Sequence, residues 1–110
     1  MKLPEEGILL RIFIGETDRI HGKALYEQIV LKARELGLAG ATVIRGTMGF
    51  GASSRVHTTK ILRLSEDLPV VIELVDTEEN LNKLMPFIDE NVTEGLVTME
   101  KVRVIKYRHK

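Results

Sequence analysis

Two stretches of this sequence, Gly7–Gly15 (GILLRIFIG) and Val70–Val75 (VVIELV), are apolar on both of the faces that a strand presents. Side chains alternate along a strand, so Ile8, Leu10, Ile12 and Ile14 line one face of the first stretch and Leu9, Arg11 and Phe13 the other. In the second stretch Val71 and Val75 alternate against Val70, Ile72 and Leu74. A sheet built on such strands needs cover on both sides, because a monomer leaving one side open exposes a large apolar patch. The chain has 110 residues and two segments with helical periodicity. Two helices cover one face, and the other is expected to be buried in a homo-oligomer.

The remaining periodicities place those strands in an order. Glu16–Gly22 is a polar turn in which Thr17 or Asp18 is placed to cap a helix. Gly22–Leu36 then carries Leu25, Ile29, Ala33 and Leu36 in one helical stripe, joined by Tyr26 and Val30, and Gly37 follows as a left-handed C-cap. Ala41–Arg45 is a short β-branched strand, Gly46–Thr59 a loop, and Lys60–Leu64 (KILRL) a resumed strand. A second helix begins at Asp76, which stands at capping-box spacing from Glu79. Leu81, Leu84, Met85 and Ile88 form its stripe, and Pro86 removes one hydrogen bond and should loosen the last turn. Leu96–Tyr107 supplies a final strand or pair of strands. The order β-α-β-β-α-β predicts an α+β, ferredoxin-like sandwich, an antiparallel sheet with two helices on one face, in one domain spanning residues 1–110.

Composition narrows the function. The 16 Lys and Arg balance the 16 Asp and Glu, whereas bulk nucleic-acid binding draws on a basic excess. With no cysteine there is no disulfide, thiol nucleophile, iron–sulfur cluster or cysteine zinc site. No apolar run approaches the roughly 18–20 residues that span a bilayer, and the acidic, proline-broken start is unlike a secretory signal. The expectation is a cytoplasmic protein without direct membrane insertion.

The segment GTMGFGASSRVHTT, Gly46–Thr59, is the one that invites chemistry. Gly46, Gly49 and Gly51 follow a strand, with Arg45, Arg55, His57 and Lys60 around them and Ser53, Ser54, Thr58 and Thr59 as hydroxyl donors. Glycines let main-chain N–H groups turn toward an anion, and nearby cations add charge-assisted bonds. The pattern is G-x-x-G-x-G and leads toward a strand, which excludes the dinucleotide-binding fingerprint, and no Gly-Lys-Ser/Thr ending marks a P-loop. Two readings stay open: a loop that cradles a phosphorylated ligand, and a hairpin whose glycines only permit its turns.

Enzyme chemistry finds little support. There is no G-x-S-x-G elbow and no H-E-x-x-H, and the signature of small acyl-phosphate phosphatases is missing, since Arg11 lies within a strand. Glu78-Glu79 suit a first helical turn, and Asp89-Glu90 read as a solvated face. His21, His57 and His109 are scattered, so a metal site would need histidines from several subunits to converge. The basic end, Arg103 to Lys110, alternates charged and apolar residues; it suits a solvated terminal strand, or an Arg placed against a neighbour's phosphates.

The words RIFIGETD (Arg11–Asp18), LYEQIV (Leu25–Val30), GLAGATVIRGTMGFG (Gly37–Gly51), HTTKILRLSEDLPVVIELVD (His57–Asp76) and GLVTMEKVRVI (Gly95–Ile105) together make the chain resemble the PII-like signalling proteins, and within them a conserved bacterial and archaeal branch of unknown function. The resemblance covers nearly the whole chain. It implies a homotrimer whose sheets line the centre, and adenine nucleotide (ATP, ADP or AMP) bound in clefts between subunits as a ligand, with no cofactor required. By the same resemblance the ligand contacts fall on the loop base, Arg45, Gly46, Met48, Gly49, Phe50 and Gly51, and on the return limb, His57, Thr58 and Lys60, while the loop's composition adds Ser53, Ser54 and Arg55. The turn Thr93–Thr98, with Gly95, and the basic residues Arg103 and Lys106 complete the cleft. The resemblance also allows an unknown protein partner, such as a membrane transporter or channel, met with or without nucleotide, and a metal-binding trimer. The loop carries no tyrosine, so control by nucleotidylation of that residue is not implied.

Overall fold

The computed structural model of the protein describes residues 5–50, 57–58 and 67–108, with the main chain alone at 57–58. Strand β1 (Glu6–Gly15) runs antiparallel to β7 (Pro69–Asp76) on one side and to β8 (Leu96–Arg103) on the other. The short strand β4 (Thr42–Arg45) adds to the outer side of β7, giving the order β4-β7-β1-β8. Helix α1 (Leu25–Glu35) links β1 to β4 by way of a small hairpin, and α2 (Glu78–Asn91) links β7 to β8. This is the expected βαββαβ sandwich. The two most central strands are the two that read as apolar on both faces.

One sheet face meets the helices. Leu10, Ile12, Ile14, Val70, Ile72 and Leu74 from the sheet pack with Leu25, Ile29 and Ala33 of α1 and Leu81, Leu84 and Ile88 of α2. Each helix presents the stripe its spacing predicts. Burying side chains of this kind supplies most of the stabilisation, at about 1.5–3 kcal/mol each. Asn91 follows Pro86 by more than a turn, so the proline lies inside α2 and does not end it. Gly37, at φ +78, closes α1 as expected, a geometry that a side chain would strain.

Two helix starts differ from the sequence reading. The segment before α1 is a hairpin, β2 (Arg19–Ile20) with β3 (Lys23–Ala24), turned by His21 and Gly22 at φ 50 and 77. Positive φ at both central residues matches the twist of paired strands, and this kept the segment out of the helix. Asp18 therefore does not cap α1. Its carboxylate accepts from its own turn, Gly15 N at 3.1 Å, and the residue before the helix is Ala24 with no side-chain cap. At α2 the cap is Thr77, whose hydroxyl accepts from Asn80 N at 3.1 Å. Asp76 is instead fully buried. It accepts from Ala39 N at 2.7 Å, Thr77 N at 2.7 Å and Asn80 Nδ2 at 2.9 Å, tying the α1–β4 connection to the start of α2.

The final strand also ends earlier than expected, at Arg103. Val104 N still donates to Glu5 O at 2.6 Å, and the chain then leaves the sheet until Tyr107 Oη donates to Ala39 O at 3.1 Å. The expected strand Lys60–Leu64 lies outside the described residues.

Among the described residues no helix lies over the second sheet face, and its rows are ordered. Strand registry aligns Ile44, Val71, Phe13 and Leu96 across all four strands, then Thr42, Glu73, Arg11 and Thr98, then Val75, Leu9 and Glu100. Ile44 and Leu96 are exposed and the apolar residues between them half-buried. Between the apolar rows Arg11 donates through Nε to Glu73 at 2.9 Å and through Nη1 to Glu100 at 3.0 Å. The Glu73 hydrogen bond is the main reason that Arg11 is held more firmly protonated than usual. The sequence reading anticipated the apolar rows but not the charged row that divides them.

Candidate functional site

Strand β4 ends at Arg45, and the glycine-rich loop leaves the sheet from there beside the start of β7. Gly46 N donates to Pro69 O at 2.7 Å. A Cβ on Gly46 would stand 2.7 Å from Pro69 Cγ, and one on Gly49 3.0 Å from the same atom. Glycine at these two positions thus has a packing reason that holds whether or not a ligand binds. The loop continues as a hairpin in which β5 (Met48–Gly49) pairs with β6 (His57–Thr58). This pairing sets Thr58 beside Met48 and His57 beside Gly49. Met48 and Phe50 are apolar and largely exposed, Phe50 at 72%.

Glu16, in the turn after β1, approaches this base from the middle of the sheet. Its carboxylate Oε2 is in contact with Arg45 Nη2. Thr17 N donates to Asp67 Oδ1 at 2.8 Å, so the same turn is pinned to the residue pair preceding β7. On the other flank Asp18 lies near Asp67 and Glu94. Burial is the chief cause that raises the Asp18 carboxyl above its ordinary range, and those two negative neighbours add to it. The turn after α2 also reaches this end. Gly95 sits at φ +154, where an added Cβ would stand 2.5 Å from Phe13 O. Only glycine passes there, and that is a structural requirement of the β1–β8 pairing.

The expected site residues therefore divide. Arg45, Gly46, Met48, Gly49 and Phe50, the main chain of His57 and Thr58, and Gly95 share one end of the sheet. Gly51, Ser53, Ser54, Arg55 and Lys60 lie outside the described residues. Arg103 is at the opposite end, paired in register with Glu6, and its guanidinium is 3.1 Å from Glu5. Lys106 is exposed beyond it. Strand β1 has ten residues, and at about 3.3 Å per residue the two ends are roughly 30 Å apart. One protomer cannot bring Arg103 or Lys106 to its own loop base. Among the described residues, no group of three or more His, Cys, Asp or Glu is arranged to hold a metal ion, and no helix is long and apolar enough to cross a membrane.

The sequence reading placed Glu16 only in a polar turn and gave Asp76 only a capping role. Glu16 carried one weak signal, an acidic residue in the turn that leaves the first strand. Its partner became visible only when β7 was found between β1 and β4, which puts the ends of all three strands side by side.

Residues 7–104 match the profile of DUF190, described as Uncharacterized ACR. The chain belongs to this family. A UPF0166 protein of Aquifex aeolicus is 39% identical to this DUF190 chain over 97 residues, 88% of the chain and 91% of the relative. Another from Methanocaldococcus jannaschii is 37% identical over 99 residues, 89% of the chain and 91% of the relative. Among solved structures, a nitrogen regulatory PII-like protein from Thiomonas intermedia, CPII, bound to ADP, AMP and bicarbonate, superposes with a TM-score of 0.65 at 19% identity, covering 92% of this chain and 90% of that one. A putative PII-like signalling protein from Thermus thermophilus gives 0.64 at 17% identity, covering 91% and 90%. The GlnK–ATP complex of B. subtilis gives 0.57 at 9% identity, covering 92% and 85%. At these identities the likeness establishes the fold, and the DUF190 chain has the PII-like ferredoxin fold.

Proposed function

We propose that this protein is a PII-like regulator that assembles as a homotrimer in the cytoplasm and binds an adenine nucleotide in clefts between subunits, without transforming it. The observation that carries the reading is the division of the cationic residues. Arg45 stands at one end of the sheet and Arg103 with Lys106 at the other, so a ligand touching both sets joins two protomers. The second sheet face supports self-association, since no helix among the described residues covers its apolar rows Ile44–Val71–Phe13–Leu96 and Val75–Leu9. PII-like proteins of the same fold have been solved with ADP, AMP and ATP, which supports the choice of ligand.

In this reading Arg45 neutralises phosphate charge, and main-chain N–H groups of the loop beyond Gly46, whose own N–H is held by Pro69 O, serve as donors. Phe50 lays its exposed ring on the base or sugar. Ligand binding fixes the loop and thereby changes the surface offered to a protein partner. Gly46 and Gly49 are poor positions for a test, because Pro69 is already against them. Phe50 and Arg45 are better, being exposed. Calorimetric titration with ATP, ADP and AMP should show saturable binding, weakened about tenfold or more in Phe50→Ala and in Arg45→Gln. Binding of none of the three by a folded trimer would refute the nucleotide reading and favour a nucleotide-independent interaction module.

A further inference from the structure

The cation on which anion binding depends already has an anion. Arg45 Nη2 contacts Glu16 Oε2, and the two side chains differ in freedom. Glu16 is 26% exposed and belongs to a turn held on three sides: its own N donates to Leu68 O at 2.8 Å, Thr17 N to Asp67, and Gly15 N to Asp18. Arg45 is 59% exposed and ends a four-residue edge strand. The carboxylate is fixed in place, and the guanidinium can swing away from it. Asp18, Asp67 and Glu94 stand on the same end of the sheet, close enough for the last two to bear on the first. An anion approaching Arg45 must therefore take the guanidinium from Glu16.

We propose that Glu16 is a built-in competitor for the ligand's anionic group, holding Arg45 in the empty site and giving it up only to a group of greater charge. The inference rests on the nucleotide reading and adds to it a selection rule. A carboxylate or bicarbonate carries one negative charge, as Glu16 does, so exchange at Arg45 gains nothing in charge and loses the tethered partner. A phosphate carries nearly two charges and three acceptor oxygens, which matches a guanidinium fork better than the carboxylate it replaces. Glu16 thus favours phosphorylated ligands over carboxylates at the loop base and lowers the affinity for all of them.

Glu16→Gln tests this directly. The turn is held by main-chain donors and by Asp67 and Asp18, so the variant keeps its fold. An exposed ion pair is modest in strength, so removing the competitor should tighten AMP and ADP binding about two- to fivefold in calorimetry. Adenosine, which has no anionic group, should bind as it does to the wild-type chain. The gain should vanish when Arg45→Gln is added, because the released cation is then absent. Wild-type binding of AMP or ADP, with Glu16→Gln binding no tighter, overturns the competitor and leaves the nucleotide reading standing. If neither chain binds a nucleotide, both fall together.

Discussion

Asp76→Ala removes a carboxylate with no solvent exposure on which three donors converge: Ala39 N, Thr77 N and Asn80 Nδ2. The residue also belongs to β7, opposite Ile8 of β1, so the gap opens at the edge of the core and cannot simply fill with water from outside. Leaving a buried donor unpaired costs about 1–3 kcal/mol, and some of the three will turn toward solvent or a new acceptor. With three neutral donors at that cost each and part of it relieved in this way, the expected loss is about 3–5 kcal/mol. Against a total stability of about 5–15 kcal/mol that is a large fraction. With an unfolding entropy of about 0.23 kcal/mol/K for a chain of this length, Tm should fall by roughly 13–22 °C. Asp76→Asn keeps the shape but sets an amide NH2 toward main-chain N–H groups, so it should cost about 2–3 kcal/mol in place of restoring stability. Urea denaturation at one fixed protomer concentration reads both, since an assembly makes the midpoint concentration-dependent. A loss under about 1 kcal/mol in Asp76→Ala would refute the argument that this carboxylate knots α1, β7 and α2 together.

Three further outcomes follow from other parts of the fold. Gly95→Ala combines a strained φ with a Cβ set against Phe13 O, and should cost about 2–4 kcal/mol in the same urea experiment. Asp18 has a folded-state pKa raised above its unfolded value, so the folded chain holds the proton more tightly; stability contributed by this group rises as pH falls from its folded pKa toward the ordinary aspartate range. Asp18→Asn should flatten that part of the stability–pH curve, and an unchanged acid slope would contradict the burial that raises the Asp18 carboxyl. Phe13→Glu puts a charge into an apolar row of the open sheet face, and light scattering should then report dissociated protomers that remain folded by circular dichroism.

The sequence carried the fold because its signals were periodic. The stripe of Leu25, Ile29 and Ala33 and that of Leu81, Leu84 and Ile88 lie where their spacing put them, and the alternation along Gly7–Gly15 and Val70–Val75 marked the central strands. Features of two or three residues were less legible. His21-Gly22 turns a hairpin that helical continuity concealed, and Asp76 resembled a cap because capping and burial draw on the same carboxylate. At the candidate site, loop composition marked the segment from Arg45 onward but not its surroundings. Glu16 and Arg45 are 29 positions apart in sequence, and their contact exists only through the sheet order. Gly46 and Gly49 show the converse: glycines that suit an anion also suit Pro69, and composition does not separate the two causes.

A mixed-subunit titration tests the intersubunit cleft most directly. One variant, Arg45→Gln, lacks the loop-base cation, and a second, Arg103→Gln with Lys106→Gln, lacks those at the far end of the sheet. Each alone should bind ADP weakly or not at all. Co-expressed, they form mixed trimers in which one cleft of each ring brings an intact Arg45 to an intact Arg103 and Lys106 on the neighbouring protomer. The account predicts that ADP binding returns at that cleft with near wild-type affinity. No recovery in mixed trimers, when the wild-type chain binds ADP, would contradict a site shared between two protomers.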